Sequence, residues 1–198
     1  MSPLSRRDLL QRSASMALAA ACLRPAGAWA DSAPNRNVAE LSSLAVNIGD
    51  EGVLLTYSVR LELSKDLEQM LLRGVTLVFV AEAELLRERW YWLDQSRGEA
   101  TRRWRLGWQP LTRRWKLSQD GLSRHFVSLQ EALDAMRRTT RWRIGEPIAS
   151  GDEAEHRVVF RFRLDTEELP RPLQIGLGPQ SGWDLSIARR INLSAAMR

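Results

Sequence analysis

Cysteine is nearly missing from this 198-residue chain, which carries one, Cys22, and histidine is almost as scarce, with two. The two histidines, His125 and His156, each stand alone in a strand-like segment with no second ligand at metal spacing, so both read as structural. No Gly-x-Ser-x-Gly elbow, phosphate loop, dinucleotide fingerprint or zinc signature occurs. The familiar enzyme classes, a resident metal and a cofactor are therefore not expected. Two acidic runs, Asp152-Glu153-x-Glu155 and Asp165-x-Glu167-Glu168, lack the alternating oxygens and bending glycine of a calcium loop and read as solvated turns. Nor does any apolar run approach the roughly 20 residues of a membrane-spanning helix.

What the sequence does have is a complete export signal. Arg6, Arg7 and Arg12 make a basic start, Ala14 to Leu23 an apolar stretch, and Ala28-Trp29-Ala30 a small-x-small cleavage site that places the mature start at Asp31. Within it, Ser5, Arg6, Arg7, Leu9 and Leu10 carry the twin-arginine pattern, in front of a stretch of modest hydrophobicity. The expected location is the periplasm, reached by the twin-arginine route. A second reading treats Ala19-Ala20-Ala21-Cys22 as a lipobox and anchors the protein at Cys22. Cleavage after Ala30 would instead remove the one cysteine, and with it disulfides, thiol catalysis and thiolate metal sites.

Cleavage also changes the charge. The whole chain has 29 basic and 24 acidic residues; without the four Arg and one Asp of residues 1–30 it has 25 and 23. A net charge near +2 on an exported protein argues against a nucleic-acid partner. The expected organisation is a signal peptide over 1–30, a polar leader over 31–37 and a single β-rich domain over 38–198, long enough for a real core.

Period-two alternation dominates the mature chain. It is cleanest from His156 to Leu164, where Val158, Phe160, Phe162 and Leu164 share one face and Arg157, Arg161 and Arg163 the other. Leu44-Val46-Ile48 and Val53-Leu55-Tyr57-Val59-Leu61 alternate likewise around a turn at Gly49-Asp50-Glu51-Gly52. Further strands are predicted over 75–86, 88–94, 101–108, 112–118, 140–148 and 183–191, with turns at 107–110 and 119–121. Two helices interrupt the pattern. Ser64 caps one that buries Leu67, Met70 and Leu71 and ends at Gly74. Ser128 and Glu131 form a capping box for one that buries Leu129, Ala132, Leu133 and Met136. The predicted fold is mainly β, an antiparallel β-sandwich with two short helices, the immunoglobulin-like arrangement being one form of it.

Several segments together resemble a known family. The Ser64-led helix, Arg89-Trp90-Tyr91-Trp92, Leu111-Thr112-Arg113-Arg114-Trp115, Phe126-x-Ser128-Leu129-x-Glu131-Ala132-Leu133, and Leu169-Pro170-Arg171-Pro172-Leu173 before Trp183 are similar to the uncharacterised proteobacterial family named domain of unknown function 4390. The resemblance implies an exported protein, often encoded beside a membrane sensor kinase and its regulator, with no activity to assign to any residue. One departure lies at the end, where Ile187 to Arg198 has no tryptophan.

Arginine repeatedly flanks tryptophan: Arg103-Trp104-Arg105, Arg113-Arg114-Trp115, Arg141-Trp142-Arg143 and Arg87-x-Arg89-Trp90. On a strand this puts rings on one face and guanidinium groups on the other. Arg103, Arg105, Arg141, Arg143, Arg161 and Arg163 thus form a candidate binding face for an anionic partner: a polyanionic glycan, phospholipid headgroups or an acidic protein surface. The competing reading pairs Arg103, Arg105, Arg141 and Arg143 across strands with carboxylates such as Glu82, Glu84 and Glu88, as structural ion pairs. The leading functional expectation is a non-catalytic envelope interaction module, with a sensor ectodomain as the kind of partner. The alternative is a carrier of a small ligand or glycan, its cavity lined by several of Trp90, Trp92, Trp104, Trp108, Trp115, Trp142 and Trp183. An enzyme using carboxylates is a third reading, for which the sequence nominates no pair. Pro170 and Pro172 mark an extended segment, either an interstrand loop or a docking strip.

Overall fold

The computed structural model describes residues 37–88, 95–149, 151–152, 155–170 and 185–193. All of these belong to one compact unit, Asn35–Arg198. The export motif, the cleavage site, Cys22, residues 31–36 of the leader, Trp90, Trp92, Trp183 and Pro172 lie outside the described residues.

Among the described residues, nine strands and two helices follow in the order β1 (Val38–Gly49), β2 (Gly52–Glu62), α1 (Lys65–Leu72), β3 (Leu77–Arg87), β4 (Gln95–Gln109), β5 (Arg114–Gln119), β6 (Leu122–Phe126), α2 (Leu129–Arg137), β7 (Arg138–Gly145), β8 (His156–Leu164) and β9 (Ser186–Asn192). The strands form two antiparallel sheets, β1-β2-β7 and β6-β5-β4-β3-β8-β9. The fold is therefore a sandwich-like pair of antiparallel sheets with two helices. Its three and six strands, among the described residues, differ from the four and three of a constant immunoglobulin domain.

The alternation read from the sequence decides which face is buried. Val53, Leu55, Tyr57, Val59 and Leu61 of β2 join Leu77, Phe79, Ala81, Ala83 and Leu85 of β3 and Val158, Phe160, Phe162 and Leu164 of β8 in one core. Aromatic contacts tie it together: Tyr57 lies 4.6 Å from Phe160 and 6.2 Å, edge-on, from Trp142, and Phe79 stacks on Phe162 at 6.1 Å. Burying such rings removes large apolar areas from water, at about 25 cal/mol per Å².

Local chemistry fixes the connections. The β1–β2 hairpin turns between Gly49 and Gly52, which are opposite one another in register. Asp120 and Gly121 both have positive φ, 49° and 83°, as a two-residue hairpin turn between β5 and β6 requires. Both helices are capped as expected: the Ser64 Oγ accepts from the Leu67 N–H at 3.4 Å and the Ser128 Oγ from the Glu131 N–H at 3.2 Å. Asn37 Oδ1 accepts from the Ser64 N–H at 2.6 Å, which ties the start of β1 to the entry of α1.

Some boundaries differ from the sequence reading. Strand β6 falls outside the predicted strand ranges, although His125 reads as strand-like, and β4 starts at Gln95 rather than 101. Of the strand expected over 88–94, only Glu88 is described, and it lies just past β3.

Candidate functional site

Pleating sends Trp104 inward and Arg103 and Arg105 outward on β4, and does the same on β8 for Phe162 against Arg161 and Arg163. Strand β3 lies between the two. Its Val80 is in register with Arg103 on one side and Arg163 on the other, and Glu82 with Thr101 and Arg161. These four arginines therefore share the outer face of the six-stranded sheet. Arg141 and Arg143 do not join them: both are on β7, in the three-stranded sheet, around an inward-facing Trp142. The six candidate residues thus form two separate groups, because the sequence pattern gives the face of a strand but not its sheet.

The ion pairs differ from those expected. Glu168 bridges Arg103 at 3.2 Å and Arg105 at 3.6 Å, and Glu82 meets Arg163 at 3.2 Å. Arg141 pairs with Glu51 at 2.5 Å, Arg143 with Glu146 at 2.7 Å, and Glu88 with Arg157 at 3.2 Å. Register is the reason: Val80 and Val78, not Glu82 or Glu84, stand opposite Arg103 and Arg105. Arg161 has no ion pair among the described residues. Exposed pairs of this kind contribute about 0–1 kcal/mol each, so they leave the cations available to a partner. The Arg105 side chain is 57% exposed.

The face is polarised rather than uniformly basic. One row beyond Glu82, Glu84 stands directly opposite Glu99, two like charges side by side. The arginines occupy the end of the sheet nearer Val78 and Val80, which are buried although they belong to the outward-facing set.

The acidic runs are not simply solvated turns. Asp165 is buried, 3.5 Å from Arg163, and its Oδ1 accepts from the Glu167 N–H at 3.3 Å. Asp152 and Glu155 both reach Arg87, at 3.8 and 2.7 Å. The Glu155 hydrogen bond and charge raise the Arg87 pKa above its ordinary value. Among the described residues, no group of three or more His, Cys, Asp or Glu is placed to hold a metal ion.

The histidines part company: His125 is exposed on β6, whereas His156 is buried with Nδ1 2.7 Å from the Asp152 carbonyl oxygen. Trp104, Trp115 and Trp142 are packed in the core. The Trp104 indole N–H donates to Gln119 Oε1 at 2.9 Å, satisfying the partner a buried indole needs. Trp108 is half-buried against Trp115, 4.9 Å away.

Sequence reasoning passed over Arg102. It shares the inward parity of Trp104, and its guanidinium sits 5.2 Å above the Trp142 ring, a cation–π contact between the two sheets. The parity was legible; the ring that receives the charge was not.

The family model for domain of unknown function 4390 matches residues 36–192. The chain belongs to this family. No curated protein and no solved structure matches it. Within this DUF4390 domain no helix among the described residues is long and apolar enough to cross a membrane.

Proposed function

We propose that this protein is exported by the twin-arginine route and acts in the bacterial envelope as a non-catalytic interaction module. Its docking surface is the outer face of the six-stranded sheet, and its partner is an acidic protein surface such as that of a sensor ectodomain. The observation that carries this reading is the placement of Arg103, Arg105, Arg161 and Arg163 on one face, two on each side of β3. Two of the four share one carboxylate, Glu168. Arginine suits such a surface because its planar fork can leave a weak intramolecular pair for a bidentate carboxylate on a partner.

Cores filled by Trp104, Trp115 and Trp142 give less support to the ligand carrier with a tryptophan-lined cavity. The test is capture of envelope proteins by the immobilised mature protein. Changing the four arginines together to Gln is expected to abolish capture, and rising salt to weaken it, since exposed charges are screened within about 10 Å at 0.1 M. The Arg141→Gln, Arg143→Gln pair on the other sheet is expected to leave capture intact. Unchanged capture by the fourfold variant, with a lower unfolding midpoint, would reduce the arginines to structural ion pairs.

A further inference from the structure

At one end of the sandwich, β3, β4, residues 146–149 and Asp152 beyond β7, and the start of β8 line an open pocket of about 280 Å³. Its apolar wall includes Leu85, Pro147 and Ile148, and its polar wall includes Arg97, Asp152 and His156. The volume is below the roughly 300–1,000 Å³ of sites for drug-sized ligands, which limits an occupant to something smaller.

A backbone irregularity sets the polar wall. Leu85 is opposite Gly98 and Leu86 is opposite Ser96, so Arg97 is the extra residue of a β-bulge. Bulges re-aim a side chain and are common beside binding sites. Gly98 holds this one in place: a Cβ there would run into the Ile144 carbonyl and the Gly145 Cα, so only glycine lets β4 close on β7.

The re-aimed guanidinium has no carboxylate or hydrogen-bond partner among the described residues, whereas the neighbouring cations are engaged. Arg87 donates from Nε and Nη2 to Glu155, at 2.9 and 2.7 Å, and Arg143 is paired with Glu146. His156 supplies the second unused group. With the Asp152 carbonyl oxygen 2.7 Å away, Nδ1 is the protonated, donating nitrogen, so in the neutral tautomer that this contact selects, Nε2 is an acceptor, with no partner among the described residues.

We infer that this pocket binds an aliphatic amino-acid unit with a free carboxylate, from the free amino acid or the C-terminal residue of a peptide. The carboxylate pairs with Arg97, a charge-assisted bond of the strong kind. The adjacent ammonium or amide N–H donates to His156 Nε2, and the side chain lies against Pro147 and Ile148. The two groups that lack a partner, the exposed Arg97 guanidinium and Nε2 of the buried His156, then each have a complement.

Isothermal titration of the protein with L-leucine, N-acetyl-L-leucine and L-leucinamide tests the assignment. Saturable binding of leucine or N-acetyl-leucine is expected, with leucinamide, which lacks the carboxylate, at least about tenfold weaker. Preference for N-acetyl-leucine identifies a peptide end, and preference for leucine the free amino acid. Arg97→Gln, an exposed change that leaves the core untouched, is expected to weaken binding by about tenfold. The assignment is overturned if neither carboxylate binds, if leucinamide binds as well as they do, or if Arg97→Gln has no effect. None of these outcomes bears on capture through the arginine face, which involves other residues.

Discussion

At the scale of single residues, the Tyr57 hydroxyl is a poorly satisfied polar atom in the core. The Tyr57 hydroxyl is buried without a well-formed hydrogen bond among the described residues; Thr139, opposite it on β7, is close enough for a weak one only. Burial pushes its pKa up from 10.0 to about 12, with Thr139 and the Arg102 charge pulling less strongly the other way. A raised phenol pKa favours the folded state only while the phenol is protonated. Its stabilising contribution is therefore complete below pH 10 and lost as pH rises from 10 towards 12, by up to about 3 kcal/mol at 1.36 kcal/mol per unit. Urea titrations across that range are expected to show the decline, and Tyr57→Phe to flatten it. At neutral pH the same variant should match or exceed the parent in stability, because it removes a desolvated hydroxyl that makes no well-formed bond. A Tyr57→Phe protein that still loses stability with the parent's slope would assign the decline to other groups.

At the scale of elements, α2 offers the cleanest local test. The Ser128 Oγ accepts from the Glu131 N–H, and the Glu131 carboxylate accepts in return from the Val127 N–H at 3.2 Å. Ser128→Ala is expected to cost about 1 kcal/mol, read as a lower urea midpoint with an unchanged slope. That helix was legible because its signals are local. The same holds for β2 and β8, whose alternating residues reported their buried face directly, and for the turn at Asp120-Gly121. Strand β6 was missed because Leu122-Ser-Arg-His-Phe is exposed nearly throughout and carries no alternation. It is a strand because the Asp120-Gly121 turn folds it back onto β5, with Ser118 and Ser123 hydroxyls 2.9 Å apart. The arginine site was half legible for a related reason. Strand periodicity placed each guanidinium outward, but the order of strands within sheets, which sets Arg103 and Arg163 on either side of Val80 and separates both from Arg143, is a long-range property with no local signature. Likewise Glu168 lies 65 residues from Arg103, and no spacing rule announces that pair.

At the scale of the whole molecule, two claims are open to experiment: how it is exported and which side it presents. Replacing Arg6 and Arg7 by Lys is expected to leave precursor in the cytoplasm, since the twin-arginine route reads the guanidinium pair. Mass spectrometry of the exported form is expected to find Asp31 at its start; a lipidated Cys22 would instead place it on a membrane. The orientation claim follows from the two outer faces of the sandwich. One carries Arg103, Arg105, Arg161 and Arg163, and the other Arg141 and Arg143, each held by a nearby carboxylate. Thr101, exposed in the row beside Arg103, and Asn47, exposed on β1 opposite Leu54, mark the two faces. The most direct measurement is photo-crosslinking in cells from a benzoylphenylalanine at each position. The account predicts a specific adduct to an envelope protein from Thr101, lost when the four arginines become Gln, and none from Asn47. An adduct from Asn47 alone, or one from Thr101 that survives the loss of all four arginines, would contradict it.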